Sequence, residues 1–155
     1  MKTTLLILGL LFAVILQATL VPFITLWGVS PNLILVLILI LVILKKFEKV
    51  WWLIILSGLF LDSLAGLPFG LVSLSLISTA YLIDRFNQSI FSRIKFWVLT
   101  ILVILGSLVY NILLFGLGIV FQAEVVFSLR YLLIEIVCNL IITLIFYAGF
   151  KKIFR

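Results

Sequence analysis

Six apolar runs, separated by short breaks, account for most of the chain. A helix that crosses a bilayer needs about 20 predominantly apolar residues, and these runs approach or exceed that length. The pattern therefore predicts an all-α, polytopic membrane protein with six transmembrane helices in one bundle. The second and fourth runs are near the lower limit for a crossing, so we expect tilted or partly re-entrant helices there. The predicted spans are residues 4–27, 30–45, 49–65, 69–84, 95–121 and 125–150.

The breaks between the runs differ in charge, and this difference predicts an orientation. Lysine and arginine near span ends are retained on the cytoplasmic side of the membrane. Ten of the eleven basic residues precede span 1, follow spans 2 and 4, or follow span 6, whereas the breaks at 28–31, 65–68 and 122–124 contain none. We predict that both termini are cytoplasmic, with Arg130 alone on the opposite side. The tryptophans near span ends are expected at the headgroup level: Trp27, Trp51, Trp52 and Trp97.

Composition indicates a single transmembrane domain over residues 1–155. Hydrophobic residues make up 66% of the 155 residues and charged residues 10%, which excludes a soluble domain because so much apolar surface could not be covered. The N-terminal run resembles a signal peptide, but it continues to Trp27 and further spans follow, so we interpret it as a retained helix. The net charge of +6 is spread over short turns, which favours contact with anionic membrane lipids over nucleic acid.

The residue types available also limit the chemistry. The chain has no histidine, so Ser-His, Cys-His and zinc chemistries lack their usual base or ligand. Cys138 is the single cysteine, so no intrachain disulfide can form, and its apolar setting is typical of a small core residue. We therefore predict no catalytic residue, no metal site and no cofactor.

Apart from hydroxyl groups and residues near the span ends, six polar side chains remain inside the predicted spans, where an ionised group costs roughly 2.5–3.5 kcal/mol. From a helical rise of about 1.5 Å per residue, Asp62 lies roughly 6 Å and Arg130 roughly 8 Å from the outer ends of their helices. This similar depth leads to the hypothesis that Asp62 and Arg130 form an ion pair, directly or through water. The alternative is that each side chain reaches the outer surface separately. The six residues are Gln17, Asp62, Asn111, Arg130, Glu135 and Asn139.

Glu135 shares a helical face with Tyr131 and Asn139, and Thr143 extends this stripe. A polar stripe on an apolar helix is expected to face the bundle interior. It either joins helices through hydrogen bonds or lines a substrate cavity or a proton path. We favour the first interpretation because the chain has few polar groups. The expected partner is Asn111 on span 5, with Ser107 one turn before it.

Small residues and predicted capping residues lie near the uncharged breaks at 28–31 and 65–68. Gly58, Asp62 and Gly66 recur every four residues on span 3, which predicts a face where another backbone can come close. Ser30 followed by Pro31 suits an N-cap and a proline at the first helical position, so the start of span 2 is well specified.

Two segments resemble the family of the bacterial rod shape-determining protein MreD. LWGVSPNLILV (26–36) is similar to the Gly-x-x-Pro-Asp-Leu signature of that family, with Gly28 and Pro31 in place and Asn32 where the family usually has Asp. SGLFLDSLAGLPFGLVSL (57–74) is similar to its second signature, Gly-Leu-x-x-Asp followed by a small residue and glycines. Gln17 and the proline five residues later also fit. The resemblance covers the first half by motif and the second half by hydropathy.

The resemblance implies a noncatalytic subunit of the cell-elongation machinery in the bacterial inner membrane. Its implied partners are MreC, the MreB filament, and the peptidoglycan polymerase made of a SEDS glycosyltransferase and a class B penicillin-binding protein. In this hypothesis the polar and small residues above serve helix packing or partner docking. The alternative is a substrate-binding S component of an energy-coupling factor vitamin transporter, because the two families are similar in fold. We do not favour an intramembrane enzyme, because the sequence shows no nucleophile with an accompanying general base.

Overall fold

The computed structural model describes residues 2–90, 96–123, 125 and 127–150. In these residues the fold is all-helical, with six α-helices, one 3₁₀ turn at Val21–Phe23 and no strand, which agrees with the predicted number of helices. The helices are α1 Lys2–Thr19, α2 Leu33–Lys45, α3 Phe47–Ala65, α4 Leu71–Ile90, α5 Phe96–Val120 and α6 Leu129–Phe150.

The short helix α2 lies at the centre of the bundle. It packs against each of the other five helices, and its apolar side chains are buried almost all round, as expected for a helix without a polar face. The core continues onto Leu53 and Ile54 of α3 and Leu99 and Leu102 of α5. The α2 residues in this core are Ile34, Leu35, Val36, Ile38, Leu39, Ile40, Val42 and Ile43.

The outer end of the first predicted span is wrong. Helix α1 ends at Thr19, and the chain continues through the 3₁₀ turn that contains Pro22. Leu26 and Val29 then exchange two backbone hydrogen bonds of 2.9 and 3.0 Å around a reversal in which Trp27 and Gly28 both have positive φ, 50° and 82°. Two positive φ values are typical of a type I′ turn. The apolar run therefore contains a turn that hydrophobicity alone does not reveal.

Helix α4 also differs from its prediction, since it starts at Leu71 and extends to Ile90 instead of ending at residue 84. The apolar run ends there, but the helical pattern continues, with Asp84 buried and Arg85 exposed. The other predicted helices agree with the structure to within a few residues at each end.

Among the described residues, two helices are long and apolar enough to cross a bilayer by length and composition: Trp97–Val120 in α5 and Leu129–Phe146 in α6. The apolar helices Leu8–Phe23 and Leu33–Lys45 are shorter. Six crossings, their orientation and a single domain thus stay predictions. The terminal basic residues Lys151, Lys152 and Arg155 and the loop residues Arg93 and Lys95 lie outside the described part of the chain.

An apolar groove of about 450 Å³ runs along α2 between α1 and the C-terminal part of α6. Its walls include Gly9 and Ala13 of α1, Leu37 and Leu41 of α2, and Phe146 of α6. Gly9 faces open space, because a Cβ at this position would meet no atom within 4 Å.

Candidate functional site

The Asp62 side chain caps the N-terminus of helix α4. The carboxylate is fully buried and accepts backbone hydrogen bonds from Gly70 at 2.9 Å, Val72 at 2.8 Å and Ser73 at 3.4 Å. The Ser73 hydroxyl donates to the same carboxylate at 2.9 Å. Both oxygens of Asp62 are therefore used by the residue before α4 and by its first turn.

This arrangement explains why an acid is retained in an apolar segment. The first N–H groups of a helix have no partner within the helix, and in an apolar medium each unsatisfied group is costly. The N–H of Leu71 binds the Pro68 carbonyl at 3.1 Å, and Leu74 begins the helical ladder by binding Gly70 at 2.8 Å. Asp62 takes the remaining donors, and its side chain lies at the positive end of the helix dipole.

The backbone of Asp62 also ends helix α3. Its carbonyl accepts from the N–H of Gly66 and, at 3.1 Å, from the N–H of Leu67. Gly66 has φ of 65°, a left-handed conformation that glycine adopts without strain. Gly66 is thus a C-terminal cap, and no helix of this bundle packs against it, because a Cβ there would meet nothing within 4 Å. A contact of Gly66 with a partner helix stays a prediction.

Gly58 forms the predicted close approach. A Cβ at Gly58 would lie 2.5 Å from the Ser73 Cα atom, so α3 and α4 pack with their backbones nearly in contact. This contact brings the start of α4 within reach of Asp62, one turn further along α3. The glycine and the carboxylate therefore act together on the same neighbouring helix.

The N-terminus of α2 is capped by side chains from three helices. Asn32 is the N-cap, and its side-chain oxygen accepts from the N–H of Leu35 at 3.0 Å. The Asn139 side chain of α6 accepts from the Asn32 N–H at 2.8 Å, and the Gln17 side chain of α1 accepts from Leu33 N–H at 2.8 Å while donating to the Pro31 carbonyl at 3.1 Å. The predicted Ser30 cap is wrong, because the helix begins after Asn32 and Pro31 precedes it.

Hydrogen bonds between α5 and α6 extend this cluster. Asn139 donates to the Ser107 hydroxyl at 3.0 Å, and Asn111 donates to the Glu135 carboxylate at 3.0 Å. The predicted partnership of Asn111 and Ser107 with the stripe on α6 is confirmed. The Glu135 carboxylate also lies beside Asn32. Helices α1, α2, α5 and α6 thus meet through side-chain hydrogen bonds.

The α6 stripe faces the interior in part. Asn139 and Thr143 are buried, and Thr143 donates to the Asn139 carbonyl at 2.7 Å. Glu135 is half-buried, whereas Tyr131 is 49% exposed, so the prediction fails for Tyr131. At the start of α6, Leu132 is buried, so Tyr131 lies on a side of the helix that the bundle does not cover.

Asp62 and Arg130 do not pair in the described structure. Asp62 is bound by the start of α4, and Arg130 is exposed at the start of α6. The two charges share a depth along their helices, but depth does not determine which helices are neighbours. Among the described residues, no group of three His, Cys, Asp or Glu side chains is placed to hold a metal ion.

Several residues at the two capped helix starts were not predicted from the sequence. Gly70, with φ of 98°, orients its N–H toward Asp62, and Ser73 supplies a hydroxyl donor. The buried Tyr110 side chain lies beside Asn32. A glycine and a serine flanking the first turn of a helix are signals of a cap, but their partner lies on another helix and is not evident from spacing.

Comparison with protein families gives the affiliation of this architecture. The family model of the rod shape-determining protein MreD matches residues 1–153. The chain belongs to the MreD family. This family consists of membrane proteins that determine rod shape. No curated protein and no solved structure matches the chain, so the implied similarity to S components finds no support.

The two segments that resemble the MreD signatures coincide with the two capped helix starts. Gly28 forms the reversal before α2, and Pro31 and Asn32 begin that helix. Asp62 and the glycines around it form the turn from α3 to α4. In this chain both segments therefore have the same physical task, which is to satisfy the start of a helix in an apolar environment.

Proposed function

We propose that this protein is a noncatalytic subunit of the bacterial cell-elongation machinery in the inner membrane, acting by helix docking. The single observation that carries the proposal is the match to the MreD family over residues 1–153. The partners in this proposal are the bitopic protein MreC, the MreB filament and the peptidoglycan synthesis complex. The role is to hold these components together in the plane of the membrane.

The use of the polar side chains supports a structural role. Asp62, Asn139 and Gly58 are buried within the bundle, and their hydrogen bonds and contacts are made to neighbouring helices of the same chain. Burial favours packing over direct partner contact for these residues. Partner docking is accordingly assigned to the exposed apolar surface.

We place the docking of the MreC transmembrane helix in the groove along α2. Its described lining is apolar, which suits a helix and excludes a polar solute. Gly9 on the α1 wall faces open space, so a partner backbone can come close there, as small residues allow in membrane helix pairs. The groove follows α2 from Leu33 to Leu44, a distance of about 17 Å at the helical rise.

The test is complementation together with copurification. In a rod-shaped bacterium depleted of its own MreD, the wild-type chain is expected to restore rod shape and to copurify with tagged MreC. Gly9→Leu places a bulky side chain in the groove and is expected to reduce MreC recovery about tenfold, the effect of about 1.4 kcal/mol of overpacking. The matched control is Gly116→Leu, because Gly116 on α5 is also an exposed helical glycine with open space around its Cβ position.

The outcomes separate the family role from the location of docking. Failure of the wild-type chain to recover MreC and to restore shape contradicts the proposed function. Equal MreC recovery by the Gly9 and Gly116 variants leaves the function standing but removes the groove as the docking surface. Protein abundance in the membrane, measured for each variant, excludes loss of the chain as the cause.

A further inference from the structure

Basic residues from two separate parts of the sequence meet at the end of the bundle where α2 joins α3. Only Lys46 separates these helices, and it turns the chain with φ of 66°. Lys45 ends α2 and Lys49 lies in the first turn of α3, and all three side chains are exposed. This corner therefore presents three cations over a short distance.

Arg85 of α4 joins this corner through two aromatic rings. The Phe47 and Tyr81 rings meet edge to face with centroids 5.5 Å apart, which places the inner part of α4 beside the start of α3. Arg85 Nε donates to the Tyr81 hydroxyl at 3.3 Å, and its guanidinium carbon lies 5.3 Å from the Tyr81 ring centroid. Tyr81 thus orients the Arg85 guanidinium.

The orientation of Arg85 leaves its chelating edge available. In the described part of the chain, its polar contact is made by Nε, and the two Nη groups bind no other side chain. A guanidinium held in this way can donate two parallel hydrogen bonds to one phosphate. The exposed acid nearby is Glu48, while Asp84 is buried and binds Gln88 at 2.6 Å, so positive charge predominates at the surface.

The depth of the corner determines the kind of anion. Trp51 lies one turn into α3 and is 47% exposed, and Tyr81 is 44% exposed. Exposed aromatic rings at span ends lie at the headgroup level of a bilayer. The cations around them are then level with lipid phosphates, and a polybasic site at this depth attracts anionic lipid.

We propose that Lys45, Lys46, Lys49 and Arg85 form a binding site for the phosphate headgroup of an anionic phospholipid, with Arg85 as its oriented donor. Arg85 and Tyr81 give the site a geometry that a scatter of surface lysines lacks. The site does not depend on MreC docking, so it can fail while the proposed function stands. It requires only that this end of the bundle lies at a membrane surface.

The test is native mass spectrometry of the full chain purified in detergent and titrated with phosphatidylglycerol or phosphatidylcholine. The wild-type chain is expected to bind phosphatidylglycerol more tightly, with a preference that weakens as salt rises. Arg85→Gln is expected to weaken phosphatidylglycerol binding about fivefold, the value for one basic residue at an anionic surface. The double variant Lys49→Gln/Arg85→Gln is expected to weaken it about 25-fold if the two effects add.

Two matched variants distinguish a site from diffuse charge. Arg130→Gln removes one exposed cation from the start of α6 and is expected to leave phosphatidylglycerol binding unchanged. Tyr81→Phe keeps every charge but removes the hydroxyl that orients Arg85, so a twofold to fivefold loss is expected from the value of one hydrogen bond, about 0.5–1 kcal/mol. Arg85→Lys is expected to fall between wild type and Arg85→Gln.

Several results would overturn the proposal. One is equal binding of the two lipids, and another is an equal loss in the Arg85 and Arg130 variants. A third is an unchanged affinity in Tyr81→Phe. Displacement of the lipid by millimolar inorganic phosphate would show that the site binds free phosphate instead. If the Arg85 variants bind lipid as the wild type does but no longer bind a cytoplasmic protein partner, the corner binds an acidic protein surface instead. Circular dichroism of each variant checks that the exposed substitutions leave the helices intact.

Discussion

Asp62 shows how the environment of a single residue determines its role. An acid inside an apolar helix predicts a charged partner, and Arg130 is the cation at a similar depth along its helix. The structure instead satisfies the carboxylate with Gly70, Val72 and Ser73. Four hydrogen bonds from uncharged donors satisfy this side chain, which also lies at the positive end of the α4 dipole.

The first prediction concerns the number of acceptors at Asp62. Asp62→Asn replaces one acceptor oxygen by an NH₂ group that faces N–H donors, so at least one buried donor loses its partner. We expect a loss of roughly 2–4 kcal/mol in the free energy of unfolding, given about 1–3 kcal/mol per unsatisfied buried group. Thermal or denaturant unfolding in detergent micelles measures this loss.

Glu48→Gln is the matched control for that change, since Glu48 is an exposed acid on the same helix. Because Glu48 lies in the first turn of α3, this change is expected to cost at most about 1 kcal/mol, less than Asp62→Asn. Equal stability of Asp62→Asn and wild type would show that the carboxylate is not required to cap α4. Charge reversal at both Asp62 and Arg130 is expected to give no rescue, because the two residues are not partners.

At the scale of the helix, the contacts within the pairs α3–α4 and α2–α6 are made by different kinds of residue. Helix α3 approaches α4 through Gly58, which lacks a side chain at the point of contact. Helix α6 approaches α2 through Asn139, which accepts from Asn32 N–H and donates to Ser107 of α5. A small residue permits contact between backbones, whereas an amide joins helices by satisfying groups on two of them at once.

Gly58→Ala tests the close backbone contact between α3 and α4. The added methyl would lie 2.5 Å from the Ser73 Cα atom, so α4 must move away, and we expect a loss of about 1–3 kcal/mol from overpacking. Gly116→Ala on α5 meets no atom within 4 Å and is expected to be neutral or to stabilise by at most about 1 kcal/mol. Parallel unfolding measurements compare them, and equal effects would contradict the close approach.

Asn139→Ala tests the side-chain hydrogen bonds that join α6 to the start of α2 and to α5. It leaves the Asn32 N–H and the Ser107 hydroxyl without their partner, so we expect a loss of about 2–3 kcal/mol, dominated by the unsatisfied N–H. Val137→Ala is the control on the same helix, since Val137 is exposed on the opposite face. Hydrogen exchange at the start of α2 should also increase in Asn139→Ala. Unchanged exchange there would show that Asn139 does not cap α2.

The helices themselves were largely predictable, because long apolar runs leave few alternatives in a membrane. The end of α1 at Thr19 was not, since residues 20–29, which form the 3₁₀ turn and the later reversal, are mostly apolar and continue the same run. The extension of α4 was missed because its last turns are amphipathic. In both cases apolarity and helical structure end at different residues.

At the scale of the whole molecule, the central position of α2 organises the bundle. Its 13 residues span about 20 Å, less than the hydrocarbon thickness of about 30 Å. Its N-terminus therefore requires caps within the bundle, which Gln17, Asn32 and Asn139 supply. The shortness of the second apolar run and the cluster of amide side chains around its start both follow from the central position of α2.

The six-span topology is testable by cysteine labelling. Cys138 is buried and is the single cysteine, so Cys138→Ala gives a background without thiols. Single cysteines at Ser30, Ala65 and Ala123 are expected to react with a membrane-impermeant maleimide in intact spheroplasts. A cysteine at Glu48 is expected to react only after the membrane is opened. Labelling of Ser30 and Glu48 positions from the same side would contradict the predicted crossing of α2.

The sequence by itself determined the class of protein, the number of helices and the segments that contain their caps. These follow from local physics, since apolar length, glycine, proline and capping residues act over a few neighbouring positions. The tertiary structure decided which groups meet: Asp62 with the start of α4, Asn139 with the start of α2, and Arg85 with the α2–α3 corner. Such pairings depend on helix neighbours and rotation, because one apolar run is compatible with many packings until backbone groups must be satisfied.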